Sequence, residues 1–155
     1  MDSLFKKLNF KEQQTVLVLN HPESFQGEIE AMRNFTSFSF DATEPEYIEF
    51  AIIFVTKQTQ INESVEAFYP KVKGDAIIWF CYPKKSSKKY QCDFNRDTGW
   101  EVLGNYGLEG VRMVAIDQDW SALRFRKVEF IKTMKRRESF ALSKEGKAKA
   151  EQKGK

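Results

Sequence analysis

The chain has 155 residues, 41% hydrophobic and 14% aromatic, with fourteen phenylalanines. That suffices for one buried core and is too apolar for a disordered chain, so one domain with a short appendage is expected. The formal charge of +3 is uneven: residues 1–126 hold 15 basic and 18 acidic side chains, residues 127–155 hold 10 and 4. The long apolar runs, such as Phe50 to Val55, are strand-sized and far short of the ~18–20 residues of a membrane helix. MDSLFKKLNF has neither the apolar core nor the cleavage site of a signal peptide. A cytoplasmic protein without a membrane partner is expected, its two cysteines, Cys81 and Cys92, kept reduced. With His21 as the only histidine, a zinc cluster is excluded and no metal site is expected.

Taken in order, Leu4, Phe5 and Leu8 predict a short amphipathic helix. Thr15 to Leu19 (TVLVL) reads as a strand buried on both faces, broken by Asn20-His21-Pro22. Ser24 is the expected N-cap of a helix carrying Phe25, Ile29 and Met32. A second strand runs from Phe35 to Phe40, and Ile48 to Val55, the most apolar segment, should be the central third strand. Ile61, Val65, Phe68 and Val72 recur at helical spacing, with the helix ending near Pro70. Ala76 to Tyr82 is a fourth strand, where Cys81 should be buried as a small hydrophobe. Thr98 to Glu101 has capping-box spacing for a helix that stops at Gly107. Val111 to Asp117 and Ser121 to Val128 then form a hairpin, expected to add one antiparallel strand at an edge.

The fold class that follows is α/β: one Rossmann-like, mostly parallel sheet with helices on both faces and a C-terminal antiparallel hairpin, over residues 1–134. Residues 135–155 read as a flexible basic tail, because past Phe140 there is no aromatic and almost no large aliphatic residue. Within it, Arg136-Arg137-Glu138-Ser139 has the look of a basic-directed phosphorylation site, a pattern short enough to arise by chance.

In such sheets ligands bind outside the carboxyl ends of the strands. Those ends are Asn20 to Glu23, Asp41, Thr56-Lys57, Pro83 to Ser87 and Asp117 to Trp120. Lys84, Lys85, Lys88 and Lys89 surround Ser86 and Ser87, which suits either a solvated loop or a phosphate or carboxylate site. Asp119 and Trp120 read either as hairpin-turn residues or as an acceptor and a wall of a pocket. His21 falls on the expected rim, and Asp93 and Asp119 are possible internal partners of Lys84 or Lys85.

GDAIIWFCYP, VRMVAID and SALRFRKV resemble the last strands of a class I methyltransferase. The glycine-rich cofactor loop of that fold is missing, for LNHPESFQG holds only Gly27. Asp41 could mimic the acid that holds a ribose. YPKKSSKKYQCDFNRDTGW followed by VRMVAIDQDWSALRFR is similar to a bacterial family catalogued as domain of unknown function 3052, over most of residues 8–128. Its motifs fall on Pro83, Lys84, Lys85, Ser87, Asp93, Asp119, Trp120 and Ser121. The resemblance implies a small Rossmann-like domain and carries no activity or cofactor with it; the tail lies outside it.

The expected function is a non-catalytic binding or regulatory domain with an anionic small-molecule site formed by Lys84, Lys85, Ser87, Asp93, Asp119, Trp120 and His21. One alternative is a methyltransferase of the S-adenosylmethionine type with a degenerate cofactor loop. The other is a module that contacts nucleic acid or an acidic protein weakly through the basic tail.

Overall fold

A computed structural model describes residues 1–95 and 98–131; the tail expected over 135–155, with its serine motif, lies outside the described residues. The elements follow in the order α1 (Ser3–Lys7), β1 (Thr15–Leu19), α2 (Gln26–Ala31), β2 (Ser37–Ser39), β3 (Ile48–Phe54), α3 (Gln58–Phe68), β4 (Val72–Pro83), α4 (Glu101–Gly104), β5 (Leu108–Ala115) and β6 (Trp120–Lys127). They build one six-stranded sheet in the order β2-β1-β3-β4-β6-β5. The β2–β1, β1–β3 and β3–β4 pairings are parallel, and β6 runs antiparallel to both β4 and β5. The α/β Rossmann-like class is as expected.

Both faces are clad, which is why the central strands are apolar without alternation. Phe50, Ile52 and Phe54 of β3 pack with Ile77, Trp79 and Cys81 of β4 beneath α1 and α2. Ala51, Ile53, Ile78 and Phe80 face the other way, against Ile61, Val65 and Phe68 of α3 and Leu103 of α4. Each large apolar side chain so buried is worth roughly 1.5–3 kcal/mol. Trp79, fully buried, gives its indole N–H to the Leu8 carbonyl at 2.9 Å and so ties α1 to the sheet. Cys81 is buried as expected, and loss of solvation pushes its thiol pKa up.

Four local expectations are corrected. The reversed strand of the hairpin is internal: β6 is covered on both faces, through Ala122 and Trp120 on one side and Leu123 and Phe125 on the other. The edge falls to β5, whose Val111 and Met113 are exposed. Ser24 caps nothing, because Pro22 to Phe25 close a tight 3-10 turn through Phe25 N–H to Pro22 C=O (3.0 Å) before α2 begins. Thr98 bridges Asn95 instead of starting a helix; Gly99, at φ +97°, redirects the chain and Glu101 accepts its N–H. Val72 opens β4, since the turn at Tyr69–Lys71 containing Pro70 has already ended the helix.

Candidate functional site

The carboxyl ends of β1, β3, β4 and β5 and the start of β6 share one end of the sheet, and the strand order switches between β1 and β3. Beyond β1, Asn20 adopts φ +59°, a conformation more often left to glycine, and its side-chain amide donates to the Phe54 carbonyl at 3.2 Å. This bond staples the ends of β1 and β3 together at the switch. The crevice left there has a volume of about 180 Å³ and is walled by Phe54, Tyr90 and Trp120. The Trp120 ring lies edge-on to Phe54 (5.1 Å between centroids) and against Tyr90 (4.9 Å). Ligand sites for drug-sized molecules are usually about 300–1,000 Å³. Trp120 is 3% exposed, and its indole N–H has no acceptor among the described residues.

A larger cleft of about 880 Å³ opens beside it, at the end of β4 on the α3 face. The buried Tyr82 and Phe94 and the exposed Met113 line it with aromatic rings and a thioether, together with Lys84, Lys85 and Gln91. The Tyr82 hydroxyl donates to Met113 Sδ at 3.2 Å. Neither the Lys84 nor the Lys85 ammonium makes an ion pair or hydrogen bond among the described residues.

The loop that carries these lysines is fastened at two points. Ser87 Oγ donates to Asp119 Oδ1 (2.8 Å) and accepts from Tyr90 N–H (3.1 Å), while Lys84 N–H reaches the Asp119 carbonyl (2.7 Å). Six residues beyond Ser87, the Asp93 carboxylate accepts Gln58 N–H at the start of α3 (2.8 Å). Gln60 Oε1 turns back to accept Thr56 N–H (2.7 Å) and Lys57 N–H (3.2 Å). The open N–H groups of the first turn of α3 are thus shared between its own chain and this loop. Asp117 holds the hairpin turn by accepting Asp119 N–H (2.8 Å) and Trp120 N–H (2.9 Å).

Of the seven residues expected at the site, Lys84, Lys85, Ser87 and Asp93 line the large cleft, and Trp120 lines the crevice. Asp119 stands behind Ser87 as its anchor. His21 lines neither space: its Nε2 meets Gln26 Oε1 at 3.0 Å and its ring packs on Phe40, with centroids 5.4 Å apart. Ser87, Asp93 and Asp119 spend their polar groups on the loop, leaving the two lysines open to a ligand. Asp41 is likewise engaged, accepting Thr43 N–H (2.9 Å) and its hydroxyl (2.8 Å), which hold its pKa below the ordinary carboxylate value. The lining residues Tyr82 and Met113 were missed in the sequence, where alternating strand residues carry no mark of facing a cleft.

No group of three or more His, Cys, Asp or Glu side chains among the described residues could hold a metal, and none of their helices is long and apolar enough to cross a membrane. The strand order and the helices on both faces define a Rossmann-like α/β domain. Among solved structures, the chain is similar to the N-methyltransferase NodS from Bradyrhizobium japonicum (TM-score 0.51, 12% identity), over 80% of this chain and 92% of that one. It is similar to the same enzyme in complex with S-adenosyl-L-homocysteine (TM-score 0.50, 11% identity, 80% and 83% covered). A SAM-dependent methyltransferase from Aquifex aeolicus superposes equally well (TM-score 0.50, 14% identity, 80% and 87% covered). At such identities the likeness is one of fold. No family model matches the chain. No curated protein matches it by sequence.

Proposed function

We propose that this chain is a non-catalytic binding domain on a methyltransferase-like framework, and that it holds an amphipathic organic anion in the cleft at the end of β4. The observation that carries this reading is the pair of ammonium groups, Lys84 and Lys85, which have no partner among the described residues and line the same cleft as Tyr82, Phe94 and Met113. An aromatic or aliphatic body would displace water from that lining, and its carboxylate or phosphate would meet the lysines. Membership of the family catalogued as domain of unknown function 3052 is part of the same proposal; the motifs of that resemblance fall on this loop and its fastenings, Pro83 to Asp93 and Asp119 to Ser121. A cytoplasmic setting belongs to the same proposal.

Calorimetric titration with naphthoate tests it. The wild-type chain binds, and Lys84→Ala/Lys85→Ala weakens binding by about tenfold or more, the value of a charge-assisted contact. Equal affinity in the double variant would remove the lysines from the site.

A second reading, methyl transfer with an adenosine-type donor, is favoured by the fold and by the unspent indole N–H of Trp120 beside the switch-point crevice. It requires the Asn20–Phe54 staple to open, since 180 Å³ is small for such a donor. It is tested by titration with S-adenosylhomocysteine, where binding in the micromolar range would replace the first reading with this one.

A further inference from the structure

The opposite face of the sheet carries a second cluster of positive charge. Arg112 of β5 and Arg124 of β6 are direct register partners, so both side chains leave the same face; Arg124 is also the register partner of Trp79, which fixes that face as the α1 side. Like charges placed opposite one another across an antiparallel pair repel. Arg126, two residues along β6 on the same face, is neutralised: its Nε and NH2 groups reach the two oxygens of Asp75 at 2.9 and 2.7 Å. Arg112 and Arg124 form no ion pair among the described residues, although the charge of Asp75 reaches Arg124 and the buried Glu109 is the register partner of Arg126. Arg112 is exposed, whereas Arg124 is half-buried and its buried Nε–H has no acceptor. Burial, with the charges of Arg126 and Arg112, pushes the Arg124 pKa down from its usual value.

From this juxtaposition we infer that Arg112 and Arg124 form a binding site for a dianionic phosphoryl group, separate from the lysine cleft. Two guanidinium forks supply paired N–H donors and a charge of two. A phosphate monoester offers a charge near −2 and three acceptor oxygens, enough to occupy both forks and the orphaned Nε–H. A carboxylate or a phosphodiester, with one charge, leaves half the repulsion in place. Among the described residues no strand pairs with the outer side of β5.

Calorimetric titration of the full chain with inorganic phosphate, at fixed ionic strength, tests the site. Wild-type protein binds phosphate more tightly than dimethyl phosphate. Arg112→Gln and Arg124→Gln each weaken phosphate binding by at least about tenfold, while Lys84→Ala/Lys85→Ala leaves it unchanged. Arg112 is exposed, so its variant keeps the test intact even if Arg124→Gln does not fold. Absence of phosphate binding, equal binding by Arg112→Gln, equal affinity for dimethyl phosphate, or loss of binding in the lysine variant would each overturn the assignment. The naphthoate titration reads the other cleft, so either proposal can fail alone.

Discussion

Ser87 shows how one hydroxyl can look like a ligand group and act as a fastening. In the sequence it sits among four lysines, the setting of a phosphate-binding serine. In the fold it donates to Asp119 and accepts from Tyr90 N–H, which ties the β4 loop to the hairpin turn. Ser87→Ala should cost about 1–2 kcal/mol in denaturant unfolding, because a part-buried carboxylate loses its donor. It should weaken naphthoate binding only through loosening of the loop, so the loss should be smaller than in the lysine variant. Glu28 supplies a pH dependence. The neighbouring Asp2 carboxylate, then burial, then the charges of Asp2 and Asp117, raise its pKa from 4.5 to about 7. The folded state therefore favours the protonated form, and Glu28's contribution to stability is present below about 4.5 and lost as pH rises through about 7. Urea midpoints of the wild-type chain should carry this fall, and Glu28→Gln should remove it.

Among the elements, α3 depends most on its surroundings. Its Ile61, Val65 and Phe68 stripe was legible from spacing alone, and so were the apolar runs of β1, β3 and β4. The start of α3 was not legible, because one of its caps, Asp93, comes from a loop 35 residues further along. Asp93→Ala should cost about 1 kcal/mol, as the loss of a cap does, and should raise amide exchange at Gln58 together with the loop. A variant whose exchange rises at Gln58 alone would show that the loop is held by other means. Short elements were read less well for a related reason. The first turn of α2 and the turn before α4 are set by Pro22 and by Gly99 meeting Phe94 and Gln58, contacts that a local pattern cannot express. His21 was expected at the rim from its position after β1, yet the chain turns it outward onto Gln26 and Phe40.

For the molecule as a whole, the carboxyl ends of the parallel strands lie along one end of the sheet, and the residues at those ends were legible in the sequence. It could not show which of the two spaces there is open. The difference comes from tertiary detail: the Asn20–Phe54 staple and the Phe54, Trp120 and Tyr90 rings narrow the switch-point crevice, while the β4 loop, held off by Asp93 and Ser87, leaves the larger cleft with its lysines exposed. The Arg112–Arg124 pairing was not legible in the sequence, because it depends on the register of β5 against β6, which shifts between Gly110 and Arg112.

The most direct test of the central claim is an amide chemical-shift map of the full chain titrated in parallel with naphthoate and with S-adenosylhomocysteine. The expected result is a set of naphthoate-dependent shifts confined to Tyr82 through Asn95 with Met113 and Ser121, and none with S-adenosylhomocysteine. Shifts at Asn20, Thr56 and Gln60 on adding S-adenosylhomocysteine, with naphthoate silent, would contradict it and make the crevice between β1 and β3 the working site.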